Sequence, residues 1–205
     1  MVWKMLRIGL TGGIGSGKSA ASGILGILGA GLIDADLVGH ASYRSGTEGF
    51  EKVTKAFGND LIGDDGEIDR KKLGPIVFSE PDNLYKLNAI LHPIIYSMIK
   101  TELTNMENSG EQVAVVEAAI LIEANWQDLF DELWVVDADK EEIIRRLIDR
   151  NNVTREQALE RIESQIGREE RNGYADAIIK NNAGLLELEK NISCLWNDRT
   201  SQRGA

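Results

Sequence analysis

A glycine-rich segment near the amino terminus has the residue types and the spacing needed to hold a phosphate group. The segment Gly12-Gly-Ile-Gly-Ser-Gly-Lys-Ser19, here called the phosphate loop, fits the pattern G-x-x-x-x-G-K-[ST]. Glycines let backbone N–H groups turn toward phosphate oxygens, and a helix that begins near Lys18 points its positive end at the same anion. The pattern therefore predicts a nucleoside triphosphate site in which Lys18 reaches the β- and γ-phosphates and Ser19 ligates Mg²⁺.

Acidic residues follow two short apolar runs, where they could take part in phosphoryl transfer. Asp36 comes just after Leu32-Ile33, and transfer to a hydroxyl group needs a base that accepts the hydroxyl proton. Asp36 is the candidate base, and the alternative interpretation is a helix N-cap. Glu117 ends the run Val113–Val116, where an acid commonly supports Mg²⁺. For Glu117 the alternative is an ordinary surface acid at the end of a strand.

The charge-dense segment 139–171 is predicted to form a helical lid. Triphosphates undergoing transfer need mobile cations that close over them and exclude water. Arg150 and Arg168 are favoured for this role, because a guanidinium stays charged and can bind two oxygens at once. The segment also carries many glutamates, so a solvated, salt-bridged helix explains most of the same pattern.

The sequence around two further residues, His92 and Arg70, is compatible with either a structural or a ligand-binding role. His92 precedes Pro93, and a residue before proline is disfavoured in a helix, so we expect His92 at a corner between two helices. There it is either a structural cap or a ligand. Arg70 follows the turn Asp65-Gly-Glu-Ile-Asp69 and is either a phosphate ligand or a surface charge.

Short apolar runs alternate with helical patterns along the chain, which is typical of a β-α-β arrangement with a parallel sheet covered on both faces. Five strands are predicted at Leu6–Leu10, Leu32–Ile33, Val113–Val116, Leu133–Val136 and Ala177–Ile179. The first helix is expected from Lys18 to Leu28. Ligands of open α/β sheets bind beyond the carboxyl ends of the strands, which is where the phosphate loop and the acids fall. Helix-start capping boxes are predicted at Asp139 with Glu142 and at Thr154 with Gln157.

The segment from Val38 to Ser109 is far longer than a simple crossover between strands. Glycines and prolines punctuate it, which predicts an inserted, mostly helical subdomain. The predicted division is a nucleotide-binding core at 1–37, 111–143 and 172–205, an insertion at 38–110 and a lid at 144–171. The fold class is therefore α/β, with a five-stranded parallel sheet flanked by helices.

Composition narrows the possible partners and the compartment. The 205 residues carry a net charge of -10, which disfavours general binding to nucleic acid or to anionic membranes. Cys194 is the single cysteine, so an internal disulfide is excluded and a reducing compartment is favoured. No run of about 18 apolar residues is present, so no membrane span is expected. These features predict a cytoplasmic protein, with an organelle form as the alternative.

The motifs, taken in order, resemble those of dephospho-CoA kinases, and more closely those of the kinase domain of eukaryotic bifunctional CoA synthases. The resemblance runs from about Arg7 to Trp196. Besides the phosphate loop, it rests on Ile33-Asp-Ala-Asp36, Asp65-Gly-Glu-Ile-Asp-Arg70, Val77-Phe78, Leu91-His-Pro93, Glu117-Ala-Ala-Ile-Leu-Ile-Glu123 with Trp126, and the lid residues Arg150, Gln165 and Arg168.

This resemblance implies a P-loop kinase core, a CoA-binding insertion and a lid. It implies transfer of the γ-phosphoryl group of ATP, with Mg²⁺, to the ribose 3′-hydroxyl of dephospho-CoA. Asp36, Lys18 and Arg150 become the expected catalytic residues, and Ser19 and Glu117 the expected metal ligands. The expected nucleotide contacts are Gly12, Gly13, Ile14, Gly15, Ser16, Gly17, Lys18, Ser19, Ala20, Arg168 and Asn181. The expected substrate contacts are Asp36, His40, Arg70, His92 and Glu117.

Three positions depart from the usual pattern of this family. Glu117 stands where aspartate is usual, and bacterial members usually carry arginine at the position of His40 and proline at that of Ala119. His40 and the pair Ala118-Ala119 are the reason for the closer resemblance to CoA synthases. Two alternatives to the dephospho-CoA kinase interpretation stay open: another small-molecule or nucleoside kinase with the same core, and a non-catalytic nucleotide-binding protein. A monomer and a small homo-oligomer are both expected states.

Overall fold

A computed structural model describes residues 4–201, and its centre is a five-stranded parallel sheet. The strands are β1 (Leu6–Gly12), β2 (Gly31–Asp34), β3 (Val113–Glu117), β4 (Glu132–Asp137) and β5 (Ala177–Lys180). Their order across the sheet is β2-β3-β1-β4-β5. All five predicted strands are confirmed, each with slightly wider bounds. Because β1 is central, the phosphate loop that follows it lies next to the carboxyl ends of β3 and β4.

Helices account for most of the remaining described chain. They are α1 (Lys18–Ile27), α2 (Ala35–Ala41), α3 (Glu48–Phe57), α4 (Arg70–Ser79), α5 (Pro81–Asn108), α6 (Lys140–Asn151), α7 (Arg155–Glu163), α8 (Arg168–Gly173) and α9 (Leu185–Thr200). Short 3-10 helices occupy Asn59–Leu61 and Gln127–Leu129. Contacts divide the described residues into two compact units, which we call the core unit (4–33 and 103–201) and the insertion unit (34–102).

The core unit is built on the near-continuous apolar runs that predicted buried strands. Leu6, Ile8 and Leu10 of β1 are fully buried, as is Trp134 of β4. They belong to one apolar cluster together with Leu25 of α1 and residues of α9. Burying a side chain of this size contributes about 1.5–3 kcal/mol. This packing holds β1, and with it the start of the phosphate loop, in a fixed position.

The longest helix, α5, contradicts the prediction of a corner at His92. It runs without a break through Pro93, although an interior proline costs a helix about 3 kcal/mol. Apolar residues recur every four positions on one face, and Leu91, Ile95 and Ile99 are all buried. Continuous burial of this stripe outweighs the local cost of the proline, so His92 lies within a helix. Among residues 4–201, no helix is both long enough and apolar enough to cross a bilayer.

The two predicted capping boxes have different outcomes. At α7 the box is confirmed, since the Thr154 hydroxyl accepts from the Gln157 N–H and the Gln157 side chain accepts from the Thr154 N–H. At α6 the prediction is wrong, because Asp139 makes no side-chain cap. Its carboxylate instead accepts hydrogen bonds from Arg168 and Asn182, both at 3.0 Å. Donors that are distant in sequence, one a guanidinium and one an amide, therefore displace the local cap.

Candidate active site

The phosphate loop connects β1 to α1 through backbone angles that favour glycine. Gly15 and Gly17 have φ values of 74° and 96°, in the left-handed region that side chains rarely adopt. A Cβ atom added to Gly17 would lie 2.1 Å from the Asn181 Nδ2 atom, and one added to Gly12 would lie 2.6 Å from the Ser16 Oγ atom. The Ser16 N–H donates to the Gly13 carbonyl at 3.1 Å. The loop thus forms a compact turn at the start of α1, the geometry in which N–H groups collect an anion.

Lys18, Ser19 and Glu117 meet at one oxygen atom beside this loop. The Lys18 Nζ and the Ser19 hydroxyl each donate to the Glu117 Oε1 atom at 2.7 Å. Burial alone would raise the pKa of Glu117. The hydrogen bonds from Lys18 and Ser19 and the positive charge of Lys18 outweigh burial and hold the pKa below its usual value. The carboxylate is therefore ionised and keeps the lysine ammonium and the serine hydroxyl at the mouth of the loop.

The pair of Ser19 and Glu117 has the donor chemistry of a magnesium site. A hydroxyl and a carboxylate are hard oxygen ligands, and Mg²⁺ typically takes one or two protein oxygens and completes its shell with water and phosphate. No group of three or more histidine, cysteine, aspartate or glutamate side chains in the described part of the chain forms a metal cage. One hydroxyl and one carboxylate oxygen fit an ion that takes its remaining ligands from water and phosphate.

Distant residues hold the phosphate loop from outside. The Gln165 Oε1 atom accepts from the Ile14 N–H at 2.8 Å, and the Asn181 Nδ2 atom donates to the Ser16 carbonyl at 2.7 Å. Arg146 of α6 donates to the Gly15 and Ser16 carbonyls at 3.3 Å and to the Asn181 carbonyl at 2.8 Å. Sequence reasoning favoured Arg150 over Arg146, because no local pattern distinguishes the arginine that faces the loop.

The arginines favoured from the sequence lie in different surroundings. Arg150 is exposed and donates to the neighbouring Asn151 side chain at 3.3 Å. Arg168 donates to both oxygens of Asp137, at 2.7 and 2.8 Å, and Lys180 pairs with the same carboxylate. Burial favours a raised pKa for Asp137, but the two cations outweigh it and lower the pKa. Arg168 is thus part of an ionic network, while Arg150 has no carboxylate partner among residues 4–201.

The insertion unit carries the other predicted site residues, mostly at its surface. The N-cap of α2 is Asp34, whose carboxylate accepts from the Asp36 and Leu37 N–H groups. The alternative role of Asp36 as a cap is therefore wrong, and the Asp36 carboxylate is exposed and has no partner in the described part of the chain. His40 makes an edge-on ring contact with Tyr43. Arg70 is exposed at the first position of α4, directly after its cap Asp69.

His92 is half-buried in α5. Burial lowers the pKa of its imidazole. The side chain is therefore neutral at physiological pH.

The sheet order, the glycine-rich loop between β1 and α1, and the lysine and serine at its end together define a P-loop kinase core. A shikimate kinase from Acinetobacter baumannii superposes with a TM-score of 0.55 at 14% identity, covering 98% of this chain and 96% of its own, which is a likeness of fold alone. The profile of the dephospho-CoA kinase family matches residues 6–187. The chain belongs to this family, whose members are phosphotransferases with an alcohol group as acceptor.

Individual relatives agree with this assignment over nearly the full length. A dephospho-CoA kinase of Geobacter sulfurreducens is 42% identical over 94% of this chain and 98% of its own, and one of Dehalococcoides mccartyi is 39% identical over 95% and 98%. The solved dephospho-CoA kinase of Campylobacter jejuni has a TM-score of 0.74 at 27% identity, covering 96% of this chain and 98% of its own. The family resemblance drawn from the motifs is confirmed, and its narrower comparison with eukaryotic CoA synthases stays a prediction.

Proposed function

We propose that this chain transfers the γ-phosphoryl group of ATP to the ribose 3′-hydroxyl of dephospho-CoA and so makes CoA. The family membership supports ATP as the phosphoryl donor. The observation that carries the proposal is the meeting of Lys18 and Ser19 at a single Glu117 oxygen beside the phosphate loop. This arrangement supports the proposal, because it keeps a cation and a hydroxyl beside the loop that would hold the phosphates.

In this proposal each unit contributes a different part of the reaction. The backbone N–H groups of Gly12–Ser19 and the Lys18 ammonium bind the triphosphate. Asp36 accepts the proton of the attacking 3′-hydroxyl, a role that suits a carboxylate with no partner among residues 4–201. His40, Arg70 and His92 contact the acceptor, as the family resemblance implies. Arg150 supplies positive charge as charge develops on the phosphoryl oxygens.

Magnesium belongs to the same proposal. The Ser19 hydroxyl and the Glu117 carboxylate would hold it, and when bound it supplies positive charge to the phosphate oxygens. The longer side chain of Glu117, where aspartate is usual, still brings its oxygen to 2.7 Å from the Ser19 hydroxyl. An extra methylene is therefore compatible with shared use of one ion by these two groups.

A direct assay tests the proposal. Purified protein with ATP, Mg²⁺ and dephospho-CoA is expected to give ADP and CoA in equal amounts, with the new phosphate on the 3′-oxygen as read by ³¹P NMR. A panel of other acceptors, including nucleosides and shikimate, is the control for acceptor identity. Faster turnover of another hydroxyl compound would make the chain a different small-molecule kinase. Tight ATP binding without transfer to any acceptor would make it a non-catalytic nucleotide-binding protein.

The proposal also covers partners and location. A small-molecule substrate needs no nucleic acid or membrane, and the net charge of -10 disfavours both as general partners. We propose a cytoplasmic protein that acts as a monomer or a small homo-oligomer. Sedimentation of the purified chain, with and without nucleotide, measures its assembly state.

A further inference from the structure

A buried arginine that the motif analysis did not single out lies against the phosphate loop. Arg171 of α8 is only 8% exposed. A Cβ atom added to Gly13 would lie 3.0 Å from the Arg171 Nη1 atom, so the guanidinium occupies the space directly over the loop. Its Nη2 atom donates to the Ile166 carbonyl at 2.8 Å. This bond fixes one side of the guanidinium and leaves Nη1 turned toward the loop.

The positive charge of Arg171 is not compensated by a carboxylate at ion-pair distance. No aspartate or glutamate oxygen among residues 4–201 lies within 4.0 Å of it. The nearby acids whose charges raise the pKa of Arg171 are Glu123 and Asp137. Glu123 is exposed, and Asp137 is already paired with Arg168 and Lys180. Burial lowers the pKa of Arg171, but a guanidinium stays protonated in proteins. An unpaired buried charge of this kind is costly unless an anion binds beside it.

The space in front of Arg171 is large enough for a ligand group. A cavity of about 490 Å³ lies between the loop, the end of β4 and the helices α6 to α8. Gly13, Ile14 and Ser16 line it on the loop side, and Gln165, Arg168 and Arg171 line it on the helix side. The Ser16 Oγ atom is buried and has no hydrogen-bond partner in the described residues. A buried guanidinium without a carboxylate partner and a buried hydroxyl without a hydrogen-bond partner, both within residues 4–201, thus border the same cavity at the phosphate loop.

We propose that Arg171 contacts the terminal phosphate of the bound nucleoside triphosphate. The contact rests on the proposed function, since it requires the phosphate loop to hold a triphosphate. The γ-phosphate of a triphosphate supplies the anion that Arg171 lacks among residues 4–201, and a diphosphate has no γ-phosphate. Arg171 therefore distinguishes ATP from ADP, and Arg168, three residues earlier, maintains the ionic network with Asp137.

Calorimetric titration without any acceptor tests this contact. The probes are a non-hydrolysable ATP analogue and ADP, each with Mg²⁺. The wild-type chain is expected to bind the triphosphate more tightly. Arg171→Gln is expected to lower that preference by about tenfold or more, the usual effect of a lost charge-assisted hydrogen bond, and to leave ADP affinity within about threefold. Arg155→Gln is the matched control, because Arg155 is an exposed lid arginine paired with Glu141, and the preference is expected to stay unchanged.

Two results would overturn the proposal: no preference for the triphosphate in the wild-type chain, or a parallel loss of affinity for both nucleotides in Arg171→Gln. The parallel loss is what a purely structural role would produce. Arg171→Lys keeps a charge but lacks the planar fork that binds two oxygens side by side, so its preference should fall between those of wild type and Arg171→Gln. If Arg171→Gln does not fold, the lysine variant and a wild-type crystal structure with the analogue decide the question. A guanidinium farther than 4 Å from every γ-phosphate oxygen in that crystal structure would refute the contact.

The result of this titration does not depend on which acceptor the chain phosphorylates. If the wild-type chain fails to phosphorylate dephospho-CoA yet shows an Arg171-dependent preference for the triphosphate, the contact stands and the acceptor assignment fails. If CoA is formed but the preference does not depend on Arg171, the proposed function stands and the contact fails.

Discussion

The core unit and the insertion unit hold their candidate residues in different ways. In the core unit, groups far apart in sequence are joined: Lys18 reaches Glu117 across 99 residues, and Asn181 reaches the Ser16 carbonyl across 165. In the insertion unit, the Asp36 carboxylate has no partner in the described part of the chain, and Asp34 and Asp69 bond only to N–H groups two or three residues away.

The phosphate loop is therefore an anion site that is preorganised, whereas an exposed side chain such as that of Asp36 becomes fixed only when a ligand binds. The phosphate loop is held in place before any nucleotide binds, so altering it should cost stability as well as function. An exposed carboxylate such as Asp36 contributes little to folding, so altering it should cost function alone. Substitutions of Asp36 and of Gly17 and the acid response of the two units test this difference, in decreasing order of expected effect.

Asp36→Asn is expected to give the largest change. Replacing the proposed base should lower kcat by about two to four decades, while ATP affinity and the free energy of unfolding stay near wild type. Steady-state kinetics, nucleotide titration and urea denaturation measure the three quantities. Asp82→Asn is the matched control, since Asp82 is also an exposed acid in the first turn of a helix of the insertion unit. Equal losses of kcat in both variants would remove Asp36 from the mechanism.

Gly17→Ala is expected to destabilise the core unit. The substitution forces a side chain into a φ of 96° and places its Cβ 2.1 Å from the Asn181 Nδ2 atom, and such strain costs about 1–3 kcal/mol. Gly23→Ala is the control within α1, because nothing lies within 4 Å of its Cβ position. There alanine should stabilise the helix by roughly 0.5–1 kcal/mol. Urea denaturation measures both, and a Gly17→Ala protein as stable as wild type would contradict the preorganised loop.

The smallest effect concerns how the two units respond to acid. Burial lowers the pKa of His92 from 6.5, so the unfolded protein binds a proton at His92 more readily than the folded protein does. The contribution of His92 to the free energy of unfolding is fully present above pH 6.5. It is lost as the pH falls from 6.5 through the lower pKa that His92 has in the folded protein. The pKa of Glu117 is also lowered, from 4.5, because the hydrogen bonds and charge of Lys18 outweigh burial. The contribution of Glu117 to the free energy of unfolding is fully present above pH 4.5 and is lost only at lower pH.

Denaturation between about pH 8 and about pH 3 checks this order. His92→Gln should flatten the stability profile just below pH 6.5, and Glu117→Gln should flatten it below pH 4.5. Each variant is compared with its own stability at pH 8, so a constant loss of stability does not affect the result. If neither variant changes its part of the profile, the burial and hydrogen bonds described for these groups do not control their protonation.

Local features were predictable from the sequence. The phosphate loop, the five strands and the capping box at Thr154 each depend on neighbouring residues, whose spacing is visible in the chain. The corner expected at His92 was wrong because the cost of Pro93 is local, whereas the burial that outweighs it extends along α5. The expected cap at Asp139 was wrong for a related reason, since Arg168 and Asn182 compete for the same carboxylate.

The sequence by itself determined that a phosphate-binding loop joins a buried strand to a helix, because glycine backbone freedom and apolar periodicity act over a few residues. Only the tertiary structure decided which distant side chains support that loop. Gln165, Asn181 and Arg146 reach it from segments 130 to 165 residues away. Which side chains support the loop depends on the relative free energies of competing hydrogen bonds and ion pairs. These interactions exist only once β1, β4, β5 and the helices after β4 are packed together.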